Sequence, residues 1–160
     1  MRRGEQRHGA SQAGFTYIAV LATVAIIGVA LAAIGIRWSD RLQREREQQL
    51  LRIGQLYAQA LLDYHRGSSG SDKTWPKDLQ ELLQDPRMLR TVRHLRTPYT
   101  DPMMPGQPFG LLRAADGTIR GVYSTSTDTP FHDGPVDLGI VVLSPAQHYA
   151  DWQFTPKADP

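Results

Sequence analysis

The chain has 160 residues, 41% of them apolar and 21% charged, so it is long enough for one globular domain and an additional element. A net charge of only +2 falls short of the basic face that nucleic-acid binding demands, although the pI is about 9.1. With no cysteine, disulfides, thiolate nucleophiles and cysteine metal sites are all excluded.

Residues 1–14 are short, basic and polar, and stand apart from the fold. From Phe15 to Ile36 there follow 22 residues without a charge, ending at Arg37. A bilayer core of about 30 Å needs about 20 apolar residues as a helix, so this run predicts a membrane-spanning helix. It is longer than the usual apolar region of a cleaved signal peptide, although Ala30-Leu31-Ala32 is a conceivable cleavage site. Arg2, Arg3 and Arg7 precede the run, whereas Arg37, Arg41, Arg44 and Arg46 follow it, so counting arginines leaves the orientation open.

The helical pattern continues beyond the run. Trp38, Leu42, Leu50, Ile53, Leu56, Tyr57, Ala60, Leu61 and Tyr64 recur at steps that mark one apolar stripe. Asp40, Arg41, Arg44, Glu45, Arg46, Glu47 and Arg52 are assigned to the opposite, solvated face, and Gly67 ends the pattern. A single helix over 15–66 would be about 78 Å long.

Residues 67–160 are expected to form a small α+β head that shares its core with residues 37–66 of the helix. Residues 67–75 read as a loop. Lys77–Gln84 reads as a short helix with Leu79, Leu82 and Leu83 on one side, closed by Pro86. Arg87, Arg90, Arg93 and Arg96 then recur every three residues, as a docking surface for an acidic partner or as a solvated turn. Asp116-Gly117 suits the positive φ angles of a tight hairpin between Phe109–Ala114 and Thr118–Ser124. On the second arm Ile119, Gly121 and Tyr123 alternate with Thr118, Arg120, Val122 and Ser124. A third strand is expected over Tyr149–Thr155, and Asp137–Leu143 is ambiguous.

Gly14-Phe15-Thr16, ahead of an apolar and then an amphipathic helix, resembles the leader junction of type IV pilins and type II secretion pseudopilins. The resemblance implies that a prepilin peptidase cuts between Gly14 and Phe15 and that Phe15 is N-methylated. It also implies a single-pass inner-membrane protein with its head in the periplasm. The implied partners are other pseudopilin subunits and the inner-membrane platform of the secretion machine. Trp75-Pro76-Lys77-Asp78-Leu79-Gln80-Glu81-Leu82 resembles the family's helix after the stalk. Asp101-Pro102-Met103 ahead of Phe109-Gly110-Leu111 resembles the element before the hairpin in G-type subunits. The family's usual glutamate at the fifth mature position falls at Ala19, which implies altered filament packing, because that carboxylate pairs with a neighbour's amino terminus. Tip-type subunits lack it too, as do some G-like subunits with tyrosine at the third mature position, where Tyr17 stands here.

Chemistry is sparse. No Ser/His/Asp grouping, phosphate loop or dinucleotide turn is present, so neither an enzymatic activity nor a cofactor is expected. His8, His65, His94, His132 and His148 lack metal spacing. G-type subunits bind calcium in a loop before the last strand, and Asp128, Asp133 and Asp137 occupy the corresponding region. They read as a calcium loop or as a plain polar one, and no metal ligand is assigned. Alternatives to a pilin-like subunit are a signal-anchored periplasmic binding module and a small membrane-anchored enzyme.

Overall fold

The computed structural model describes residues 12–68 and 73–157, without the side chains of 12–15 and 32–37. Its first element, α1, runs Gln12–Arg66 and so begins three residues before Phe15. The chain divides into two compact units between Leu42 and Gln43.

The second unit is an α+β head in which α1 from Gln43 onward packs on a small antiparallel sheet. Strands β1 (Gly110–Arg113), β2 (Ile119–Tyr123) and β5 (Gln153–Phe154) form this sheet, with β2 central. A separate ribbon pairs β3 (Val136–Asp137) with β4 (Val142–Leu143), in the region whose sequence was ambiguous. The expected stripe enters the core at Leu50, Tyr57, Ala60, Leu61 and Tyr64, joined by Ala58, whereas Trp38, Leu42 and Leu56, also expected on it, stay exposed. Ile119 and Val122 meet it from β2, and Tyr149, Trp152 and Phe154 from the chain's last segment. Gly54 lies on the same stripe. A Cβ there would sit 2.2 Å from Cδ1 of Phe154, so the helix approaches β5 closely only because this residue has no side chain.

The hairpin is real but its turn differs from the expected one. Only Gly117 has positive φ (79°); Asp116 does not. The Gly117 N–H donates to the Ala114 carbonyl and the Ala114 N–H to the Thr118 carbonyl. The loop is thus Ala115-Asp116-Gly117, a type I turn followed by a left-handed glycine. Asp116 Oδ1 accepts from both the N–H and the hydroxyl of Thr118. A bulge follows: Leu112 pairs with Gly121 but Arg113 with Ile119, leaving Arg120 as the extra residue. Strict alternation therefore fails, and Ile119 and Val122, three apart, are both fully buried.

Two boundaries also differ from expectation. The helix expected over Lys77–Gln84 shrinks to α2 (Gln80–Leu83). Asp78 Oδ1 takes the Gln80 N–H, the Asp78 and Leu79 carbonyls take the Glu81 and Leu82 N–H groups, and Glu81 Oε1 takes the Lys77 N–H ahead of the helix. The expected final strand is half 3₁₀ turn, Tyr149–Asp151, before β5. The loop 67–75 is described only in part, since residues 69–72 lie outside the described ones.

Asp101, ahead of the hairpin, is fully buried. It accepts from the Ser124 hydroxyl (2.6 Å), the Thr125 N–H (3.2 Å) and the Met103 N–H (2.9 Å). Its carboxylate ties the segment before β1 to the one after β2.

Candidate functional site: the exposed apolar helix and the ends of the head

Among the described side chains of the first unit, the apolar ones are exposed around the helix. Tyr17, Ile18, Val20, Leu21 and Val24, and then Ile26, Ile27, Val29 and Leu31, are all more than half exposed. An exposed apolar surface of this extent marks a binding or membrane-contacting region. The Thr23 hydroxyl donates to the Ala19 carbonyl at 2.8 Å, so this group makes its hydrogen bond within the helix. Tyr17 (66% exposed) and Trp38 (73% exposed) bracket the run. They stand about 30 Å apart along the axis.

Among the described residues, no helix is long and apolar enough to cross a membrane. The continuous stretch of described side chains, Thr16–Leu31, is shorter than the roughly 20 residues a span needs. The expected span 15–36 is thus not met within the described residues.

Of the expected junction residues, Gly14 and Phe15 belong by backbone to the first turns of α1, and their side chains lie outside those described. Residues 1–11 of the leader lie outside the described residues altogether. Ala19 is exposed, and its carbonyl is the acceptor of the Thr23 bond.

Glu47 corrects the sequence reading of a solvated face: it is 6% exposed. Its Oε2 accepts from the Phe131 N–H and the Tyr149 hydroxyl, both at 2.7 Å. Gln43, one turn earlier, donates to the Thr129 carbonyl at 3.1 Å, and Arg44 lies over the Phe131 ring. Gln43, Arg44 and Glu47, on adjacent turns of the helix, thereby hold the loop 127–131. Burial, and then the bond to Glu47, push the Tyr149 hydroxyl up to about 12. Glu47→Ala strands both donors and is expected to cost about 2–4 kcal/mol, since bonds to a charged acceptor contribute about 1.5–3 kcal/mol each. Chemical denaturation of the detergent-solubilised full chain measures this, and the Phe131 amide should lose its hydrogen-exchange protection.

At the other end of the head Arg87 is a structural residue, not a docking one. Its guanidinium donates to the fully buried Asp85 (2.7 Å) and to the Tyr64 carbonyl (2.8 Å), and it lies 3.5 Å from the Tyr64 ring centre. His94 Nε2 stands 3.2 Å from the same Asp85 oxygen, and the Tyr64 hydroxyl donates to Glu81. Hydrogen bonds from Arg87 hold the Asp85 carboxyl well below the usual carboxylate range against the opposing effect of burial. Arg90, Arg93 and Arg96 remain exposed on a segment without helix. Arg93 and Arg96 flank an open groove of about 430 Å³, whose apolar wall is Leu83 and Pro86.

Asp128, Asp133 and Asp137 are exposed and do not converge, and among the described residues no group of three acidic or histidine side chains could hold a metal. Asp137 accepts from the Gly139 N–H and lies 3.9 Å from Lys157. His65 stacks on Trp75, and His148 Nδ1 contacts the Thr127 carbonyl. The residues that sequence reasoning missed are Glu47, Gly54 and Asp85. Only Gly54 carried a readable signal, as a glycine inside an apolar helical stripe. No family model, curated protein or solved structure matches the chain.

Proposed function

We propose that the chain is a pilin-like structural subunit, a pseudopilin of a type II secretion or type IV pilus-like machine, without catalytic activity. Residues 15–36 would rest in the inner membrane before assembly and pack against neighbouring subunits after it, with the head in the periplasm. Prepilin peptidase would remove residues 1–14 and leave a methylated Phe15. The observation that carries this reading is the apolar exposure around the full circumference of Thr16–Leu31. Such a surface is satisfied by lipid or by other apolar helices. Ala19, with no carboxylate to offer, makes the chain a specialised subunit that depends on partners supplying a glutamate. The groove on the head favours a second reading, a signal-anchored periplasmic binding module.

Intact-mass measurement on membrane-extracted chain separates the two. The expected result is loss of residues 1–14 and gain of one methyl group. Retention of Met1 or Arg2 on most molecules would favour the anchored module. Val24→Arg adds a second arm, because a charge at mid-span costs about 2.5–3.5 kcal/mol on insertion. It should deplete the membrane fraction while leaving the head folded.

A further inference from the structure

Two Asp-Gly pairs stand in the sequence, Asp116-Gly117 and Asp133-Gly134, and the chain has no asparagine. In such a pair the glycine nitrogen can reach the preceding side-chain carboxyl, because no Cβ on the glycine obstructs the approach. Every other aspartate precedes a bulkier residue or a proline, which has no N–H to give up. The two pairs are placed very differently.

At Asp116-Gly117 both reacting groups are held. Asp116 Oδ1 accepts from the Thr118 N–H at 2.9 Å and from its hydroxyl at 2.6 Å, and Oδ2 lies 3.8 Å from the Arg120 guanidinium. The Gly117 N–H donates to the Ala114 carbonyl at 2.9 Å, which commits its nitrogen to the hairpin turn. The Thr118 bonds also hold the Asp116 carboxyl below the usual carboxylate range, and a carboxylate is a poorer electrophile than the acid.

At Asp133-Gly134 neither group is held. Asp133 is exposed, and among the described residues its carboxylate and the Gly134 N–H make no hydrogen bond or ion pair. A Cβ built on Gly134 would meet nothing within 4 Å, so there is room beside the main chain for a ring to close. The loop is fastened on either side instead, at Phe131 through the N–H given to Glu47 and at Val136 through its pairing with Leu143.

We propose that Asp133-Gly134 is a site of spontaneous self-modification, where a cyclic imide opens to an isoaspartyl linkage, and that the hairpin protects Asp116-Gly117 from the same reaction. The Gly134 nitrogen bonds to Cγ of Asp133, and its proton and the carboxyl hydroxyl leave as water. Water then adds to the main-chain carbonyl carbon of Asp133, and the bond from that carbon to the Gly134 nitrogen breaks. The chain now runs through the side-chain carbonyl, and the former main-chain carbonyl is a free carboxylate. Attack at the other carbonyl returns aspartate, with an oxygen from solvent in either product. Nothing is oxidised or reduced, and water is the sole co-reactant. Mass and charge are unchanged, but the main chain gains an atom between the Phe131 and Val136 anchors. The inference does not rest on the subunit reading.

Detergent-solubilised full chain, aged for weeks at neutral pH in heavy-oxygen water and digested in ordinary water, tests this by fragment-ion mass. In the folded chain the heavy oxygen is expected at Asp133, several-fold above Asp116. In urea the two pairs should label at similar rates, because only the fold distinguishes them. Gly134→Ala, whose added methyl enters open space, should cut labelling at Asp133 several-fold with the circular dichroism unchanged. Equal labelling of both pairs in the folded chain would overturn the proposal, as would label confined to Asp116. Label at Asp133 in urea but not in the folded chain would show that the loop keeps the reacting atoms apart, and overturns it too. A preference for Asp133 that persists in urea removes the protective role of the hairpin. Label at Asp133 indifferent to Gly134→Ala would assign the exchange to another route and defeat the imide.

Discussion

Gly54→Ala is expected to destabilise the head by about 3 kcal/mol, although alanine is the better helix former by about 1 kcal/mol. The added Cβ would lie 2.2 Å from Cδ1 and 2.4 Å from Cγ of Phe154. Because Cγ is the root of the ring, no swing of the ring relieves the clash. Phe154 is itself fully buried, so the helix must lift or β5 must move. Phe154→Ala alone should cost about 3–5 kcal/mol through the cavity it leaves. In the double variant the two losses should fall short of their sum by about 1–3 kcal/mol, since the second change makes room for the first. Urea unfolding of the detergent-solubilised full chain, followed by near-ultraviolet circular dichroism, gives all three values. A neutral Gly54→Ala would show that the close approach is not what holds helix and strand together.

The second large effect is expected at Asp85. Arg87→Ala removes its main partner and leaves a fully buried carboxylate beside His94, a loss of about 3–5 kcal/mol. The native pKa of Asp85 is depressed, so at acid pH the unfolded chain binds a proton that the folded chain does not. The stability from this group is therefore complete above about pH 4, the ordinary aspartate value, and declines as pH falls toward the native one. Unfolding measured from pH 6 to pH 2 should lose stability steeply in the wild type. Asp85→Asn should flatten that slope below pH 4, and the difference between the two curves isolates this carboxylate from the others. An equal slope in both would place the acid sensitivity elsewhere.

Local patterns carried much of the fold. The spacing of Leu50, Tyr57, Leu61 and Tyr64 gave the buried stripe, and Asp116-Gly117 placed the hairpin within a residue or two. What escaped was set by contacts between distant parts of the chain. Glu47 sits among charged neighbours and reads as solvated, yet its two donors come from 84 and 102 residues downstream. Arg87 looks like one of four equivalent arginines until Asp85 and the Tyr64 carbonyl are brought beside it. The bulge at Arg120 inverts the expected side of Val122 without any glycine or proline at that position to announce it. The Tyr149–Asp151 turn has strand-like composition, and its shape follows from the Tyr149 and Ala150 N–H groups donating to Asp128 and Ser126. For the site, the apolar run Phe15–Ile36 stood out in the sequence, and the structure describes its side chains over Thr16–Leu31, where they are exposed.

The core closes late. Tyr149, Trp152 and Phe154 complete it, and Phe154 covers a glycine 100 residues earlier in the chain. The β1–β2 hairpin needs only neighbouring residues and can form while synthesis continues. Docking residues 149–154 on the helix closes loops of about 100 residues, the kind of contact that forms slowly. Until residues 149–154 arrive, the helix stripe at Leu50, Tyr57 and Leu61 stays open to solvent and to other chains. A chain that reaches only as far as the β1–β2 hairpin is thus a helix and a hairpin without a lid.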